Sequence, residues 1–421
     1  MDSAAIISQA AAAARKASRS LIAAGDVQRT QILRDIADAL LQHSDRILEQ
    51  NGIDMFRAKS SGMAQSLQDR LLLTAQRIED MAGGLRQVAA LPDPLGRTIN
   101  ERTLPNGLHL TQRSVPFGVV GMVYEARPNV TVDAAAILLK SGNAALLRGS
   151  SSAESSNAVL VEIMRETLAK SSISPDAIQN IPSDDRSTVT ALLHARGEVD
   201  LVIPRGSASL IRMVVDEATV PTIETGAGVC HVYVDKEADL AKALPILINS
   251  KTHRPSVCNA AETLLVHEDI GEQFLPIAMK ALVEKGVILH VDSRVAEIAA
   301  KLGIATEFAT TESWSTEYGS LEMNIAVVSD VVSAADHIQK FGTNHTEAIV
   351  TENLATADTF IALSDCAAVM VNASTRFTDG EQMGFGAEIG ISNQKLHARG
   401  PMGLEQMTTS TWIVRGTGQI R

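Results

Sequence analysis

Gly118-Val119-Val120-Gly121-Met122-Val123 decides the fold class. An unbroken apolar run of this length, without alternating polar residues, suits a strand buried on both faces of a helix-covered parallel sheet. The same device returns further along the chain. Ala144-Ala145-Leu146-Leu147 and Asp200-Leu201-Val202-Ile203 read as strands, with helices near 130–140, near 153–170 and after Gly206-Ser207. Strand and helix alternating in this way predict right-handed βαβ units and a doubly wound sheet. A second alternating block follows Val232-Tyr233-Val234, with strands at 263–266, 325–328 and 348–350, and a further strand at 368–371 leads into a Gly-rich terminal segment.

Upstream of this pattern, residues 3 to about 90 read as helical, with stops at Gly25, Gly52, Gly62 and Pro92-Asp93-Pro94 and N-caps at Asp26, Ser44 and Thr74. Asn106-Gly107 between two short strand-like segments predicts a hairpin over 102–113, and Pro105 makes it an edge element.

Composition narrows the function. A chain of 421 residues is too long for one ordinary core, so two or three lobes are expected, and no internal repeat or low-complexity linker separates them. Hydrophobic residues at 45% with only 3% aromatics favour helices packed on a sheet over a β-sandwich. A net charge of -12 argues against a nucleic-acid role and means that an anionic substrate needs a local cationic pocket. The three cysteines form no C-x-x-C pair and the ten histidines show no metal spacing, so neither a metal site nor a disulfide framework is expected. The opening residues read as a helix rather than a signal peptide, and no apolar run approaches the roughly 20 residues that span a bilayer. A cytoplasmic protein without membrane contact is expected.

Several residues could carry chemistry, each with a bland competitor. Cys258, in Arg254-Pro255-Ser256-Val257-Cys258-Asn259, has cationic Arg254 and titratable His253 upstream; a thiolate there would attack acyl carbon, or the thiol would simply be buried. Cys230 and Cys366 lie beside apolar strand patterns and read as packing. Glu224, before the Gly226-Ala227-Gly228 turn, is a general base or a solvated loop residue. Asn129, following Pro128 after the Gly118 strand, is an oxyanion donor or a helix cap. Arg148-Gly149-Ser150-Ser151-Ser152 would cradle a phosphate at a helix N-terminus, or form a plain serine cap. No G-x-G-x-x-G dinucleotide fingerprint is present.

Together these segments resemble the aldehyde dehydrogenase superfamily, and within it the γ-glutamyl phosphate reductase branch. Val115-Pro116-Phe117-Gly118-Val119-Val120-Gly121 is similar to the strand before that family's Asn-bearing loop, and Ser141-Gly142-Asn143-Ala144 with Leu147-Arg148 to its adenosine-ribose segment. Ile223-Glu224-Thr225-Gly226 resembles its E-L-G-G motif, and Cys258 follows Glu224 by 34 positions, the family's separation. The segments 254–262, 371–380 and 395–404 resemble the reductase branch. The E-E-I-F-G-P motif is replaced around Thr316-Glu317-Tyr318.

The resemblance implies an α/β fold of two doubly wound lobes with a small oligomerisation element. Residues 1–234, hairpin included, would bind the cofactor; 235–366 would be catalytic; 367–421 would return to the cofactor lobe and the oligomer interface. It implies NADPH-dependent reduction of γ-glutamyl phosphate to glutamate 5-semialdehyde, the second step of proline synthesis from glutamate. Cys258, Asn129 and Glu224 would be catalytic. Arg148, Ser150, Ser151, Gly206, Ser207, Gly226 and Glu317 would meet the cofactor, and Arg254, His397 and Arg399 the substrate. A homo-oligomer is implied, with room for contact with glutamate 5-kinase. A hydrolytic aldehyde dehydrogenase and a catalytically silent scaffold remain the alternatives.

Overall fold

The computed structural model describes residues 2–421. It divides into one unit holding the chain up to Thr225 with Gly384–Gly390 and Met402–Arg421, and a second holding Gly226–Met383 and Ile391–Pro401.

In the first unit the opening motif forms the strand Val119–Tyr124, buried at every residue. It pairs in parallel with Ala144–Arg148 on one side and Leu201–Arg205 on the other, and Ile178–Asn180 extends the sheet beyond Ala144–Arg148. The helix Pro128–Lys140 follows at once, started by a proline whose fixed φ suits a first turn. Val119, Leu146, Val202 and Leu192 share a core with Ile7, Ala11 and Ala14 of the long helix Ser3–Gln42.

That helix kinks at Gly25 (φ 70°, ψ 175°) rather than stopping. Beside the kink, Arg29 Nη1 donates to the Leu21 carbonyl at 3.1 Å while Arg29 Nη2 pairs with Asp93 at 2.8 Å. Asp26 does not cap; it accepts from the buried Lys140 ammonium. The helix Ser44–Ser60 runs straight through Gly52, held by buried Ile47, Asn51, Asp54 and Ala58. A single interior glycine costs only about 1 kcal/mol, which that face outweighs. His43, not Ser44, occupies the N-cap position, whereas Thr74 caps its helix by accepting from the Arg77 N–H.

The hairpin strands are Thr98–Thr103 and His109–Pro116, with Pro105 in the turn and Gly107 at φ 84°. The terminal strand Thr408–Arg415, which alternation did not reveal, pairs antiparallel with His109–Pro116 and makes it the centre of a three-stranded sheet.

The second unit is built on seven parallel strands, in the order Glu307–Phe308, Ile288–Val291, Glu322–Val328, Ala261–His267, Cys230–Val234, Thr346–Val350, Ala368–Val371. Here the division differs from the expected boundary at 234/235. Cys230–Val234 is fully buried and needs a partner on each edge, which Ala261–His267 and Thr346–Val350 supply. Nor does 367–421 travel as one piece, since Ala368–Val371 closes the second unit's sheet.

Candidate active site

Cys258 lies in the short loop between the helix Leu240–Thr252 and the strand Ala261–His267. Lys251, in the last turn of the helix, and Glu262, second in the strand, meet at 2.6 Å with both side chains wholly buried. They clamp the two stems of the loop. Burial disfavours both charged forms, raising the Glu262 pKa to about 7 and lowering that of Lys251. Glu262 closes the 254–262 stretch and Lys251 lies just before it, but nothing in linear spacing paired the two.

The loop is also seated from below. Cys230 and Ala261 begin neighbouring parallel strands, so the residues before them run side by side. Gly228 sits so close that a Cβ there would overlap the Cys258 carbonyl. That carbonyl accepts from the Cys230 thiol at 3.2 Å, and Gly228 N–H donates to Glu317. At Gly226 an added Cβ would strike the side-chain amide of Asn393, whose Nδ2 donates to Thr343 O at 2.7 Å. The glycines of the Gly226-Ala227-Gly228 turn thus permit close approach, and neither needs a positive φ.

A third support comes from the segment after Ala368–Val371. Thr375 Oγ1 donates to Asn259 O at 2.7 Å, and Asn259 Nδ2 donates to Thr378 O at 2.8 Å. Thr378 Oγ1 accepts from Thr346, and the hydroxyls of Ser250 and Ser374 meet at 3.0 Å. These bonds place the half-buried Arg376 beside the loop, where it interacts electrostatically with Cys258 and Arg254. The quoted 371–380 stretch contained Arg376, but nothing in linear spacing tied it to Cys258.

The other thiols are poor nucleophiles. Burial pushes the Cys230 thiol pKa well up and that of Cys366 to about 12. Among the substrate candidates, Arg254 and His397 are exposed, whereas Arg399 is paired with Asp365 at 2.8 Å.

In the first unit, Asn129 is exposed in the opening turn of Pro128–Lys140, and its Nδ2 donates to Asp133 at 3.0 Å. Burial raises the Asp133 carboxyl to about 6 against that bond. Glu224 lies just after Thr222, which bridges to Val202. Arg148 is buried and turned inward: Nε, Nη1 and Nη2 reach Thr188 Oγ1 and the carbonyls of Gly149, Ser183 and Asp185, occupying four of its five N–H donors. Ser150 Oγ accepts from Ser152 N–H, and Ser151 is exposed. At Gly206-Ser207 the helix Ala208–Glu217 begins, and a carboxylate already sits there: Glu125 accepts from Ser207 N–H at 2.9 Å and from Ser207 Oγ at 2.6 Å. This turn holds an anion, as a cofactor phosphate site must. Among the described residues no group of three or more His, Cys, Asp or Glu could hold a metal, and no helix is long and apolar enough to cross a membrane.

The model of the aldehyde dehydrogenase family matches residues 1–296. A γ-glutamyl phosphate reductase of Thermobifida fusca is 52% identical over 408 residues, 97% of each chain. The crystal structure of γ-glutamyl phosphate reductase from Thermotoga maritima superposes with a TM-score of 0.96 at 44% identity, covering 99% of both chains. The protein is therefore an oxidoreductase that works with a nicotinamide cofactor. The chain belongs to the aldehyde dehydrogenase family, in its γ-glutamyl phosphate reductase branch.

Proposed function

We propose that this chain reduces γ-glutamyl phosphate to glutamate 5-semialdehyde with NADPH, through a thioester on Cys258, as the second step of proline synthesis in the cytoplasm. The observation that carries the reading is the seating of Cys258 in a loop clamped by Lys251–Glu262, in backbone contact with Gly228 and within electrostatic reach of the Arg376 guanidinium. A nucleophile must be held rigidly, and a nearby cation favours the thiolate.

The Cys258 thiolate attacks the γ-carbonyl carbon, and the carbonyl electron pair moves onto oxygen. As that oxyanion collapses, the carbon–oxygen bond to phosphate breaks and phosphate departs with the bonding pair, leaving the thioester. Bound NADPH supplies the hydride that takes the thioester to the aldehyde level. Cys258 then leaves as thiolate when the second tetrahedral oxyanion collapses. The donors for both oxyanions are the Cys258 backbone N–H and, by family resemblance, the Asn129 N–H not given to Asp133. Glu224 handles protons or shapes its turn; no hydrolytic water is needed.

Ser207 N–H and Oγ, which hold Glu125, are suited to the cofactor's phosphates. Ser150 and Ser151 would receive the 2′-phosphate. Arg148 would contribute charge there more than hydrogen bonds, since its donors serve the 183–188 loop. Gly226 and Glu317 shape the Gly228 turn rather than offering free donors. Arg254 is better placed for substrate than Arg399, which Asp365 holds. Exposed Ile99, Trp412 and Val414 on the three-stranded sheet suit an oligomer contact.

The test is NADP reduction with glutamate 5-semialdehyde. It should require phosphate or arsenate, run better than with NAD, and vanish in Cys258→Ala. Phosphate-independent conversion to glutamate would instead mark a hydrolytic enzyme, and an acyl adduct on Cys230 or Cys366 would overturn the nucleophile. Equal efficiency with NAD and NADP would remove the 2′-phosphate role of Ser150 and Ser151.

A further inference from the structure

The 3₁₀ turn Thr375–Phe377 carries Arg376, a half-buried guanidinium that interacts with Cys258. We propose that Arg376, with His253 and Arg254, forms the subsite that takes the phosphoryl group of the acyl phosphate and, in the reverse direction, inorganic phosphate. The proposal rests on the thioester reading of Cys258.

Three observations converge. The turn cannot drift from the nucleophile, because Thr375 Oγ1 and the Thr378 carbonyl are bonded to Asn259, the next residue after Cys258. The arginine's own partners also differ from those of the structural arginines. Arg29, Arg148 and Arg165 each spend two or more donors on main-chain carbonyls. Arg376 instead directs Nε to a side chain, His253 Nδ1, at 3.4 Å. With Nε directed at the imidazole, the Nη groups of Arg376 are left to meet a ligand beside His253.

The local charge points the same way. Burial penalises the charged form of Arg376, Asp379 offsets part of that, and Arg254 adds repulsion. His253 and Arg254 are exposed, so the cluster is open to a ligand. Two arginines gathered at a partly dry site in a chain of net charge -12 are best satisfied by a dianion. The reaction supplies one at this place. As the Cys258–carbon bond forms, the carbon–oxygen bond to phosphate breaks, and negative charge grows on the departing phosphate. In reverse, a phosphate oxygen attacks the thioester carbon, its proton passes to solvent, and the thiolate leaves.

The test uses the full-length enzyme in the reverse direction, with inorganic phosphate as the varied ligand. Losing a charge-assisted bidentate contact should raise the KM for phosphate about ten- to a hundred-fold in Arg376→Ala and less in Arg376→Lys. The KM values for NADP and semialdehyde should stay within about two-fold, and added guanidinium ion should restore part of the Arg376→Ala activity, as a purely structural role would not predict. The rate of Cys258 alkylation by iodoacetamide reports whether the loop is intact in each variant. An unchanged KM for phosphate in both variants would overturn the proposal, as would an equal rise in the KM values for phosphate and semialdehyde. If the unmodified enzyme never shows acylated Cys258, the thioester reading falls, and this subsite with it.

Discussion

Replacing Gly228 with alanine should disable Cys258 without unfolding the protein. The new Cβ would overlap the Cys258 carbonyl oxygen and carbon and lie 2.8 Å from its Cα. All three are backbone atoms, so no side-chain rotation relieves the clash. Ordinary contact needs about 3.5 Å, so the Cys258 main chain would have to retreat by roughly 2 Å. It cannot do so freely, because Lys251–Glu262 fixes both stems, Thr375 and Thr378 hold Asn259, and Cys230 lies against the same carbonyl. Overpacking of this kind costs about 1–3 kcal/mol, a tolerable fraction of a large domain's stability. A nucleophile displaced by about 1 Å loses roughly 10²-fold in rate, so the expected fall in turnover is at least that. Urea melts would report the stability, and the rate of acyl-Cys258 formation, followed by quenched mass spectrometry, would report the site. Gly226→Ala is the internal control: it meets the end of the Asn393 side chain, which can swing away at the cost of its bond to Thr343. Gly228→Ala acylating at a near-normal rate, or Gly226→Ala proving the worse of the two, would refute the reasoning.

Asn129→Ala should lower turnover by roughly 10²–10³ with cofactor affinity little changed, measured by fluorescence titration; near-normal turnover would remove Asn129 from the mechanism. Lys251→Met should destabilise by about 3–5 kcal/mol in urea melts, because Glu262 is left buried and unpaired, and Lys251→Met/Glu262→Leu should recover much of that; a double variant no better than the single would contradict this. Acid should weaken the fold through His345, wholly buried with its pKa lowered from 6.5 to about 4 by desolvation. The unfolded chain binds that proton first, so the stability is whole above about pH 6.5 and falls by about 3 kcal/mol as pH drops towards 4. His345→Asn should flatten that slope, and an unaltered slope would clear His345.

Apolar runs were enough to locate the principal buried strands, because a strand covered on both faces has no polar position to interrupt it. The short strands Ile178–Asn180, Ile288–Val291 and Glu307–Phe308 escaped, since so few residues carry no period. Gly25 and Gly52 look alike in one dimension, yet the first takes a positive φ of 70° and kinks its helix while the second lies inside a regular one. As candidates, Cys258, Glu224 and Asn129 could be picked out through motif and separation. Arg376 and the Lys251–Glu262 clamp could not, and Arg148 looked like a phosphate ligand until its guanidinium was seen bound to the 183–188 loop.

The sequence by itself determined the α/β class, the family resemblance and the identity of the candidate nucleophile, all of which rest on local residue type or on spacing along the chain. Tertiary structure alone decided what surrounds that nucleophile. Gly228, Arg376 and Thr378 reach Cys258 and Asn259 across 30 to 120 positions only because parallel strands and a returning segment bring them together. Contacts of that range depend on how strands are ordered in a sheet, and strand order leaves no mark on residue periodicity.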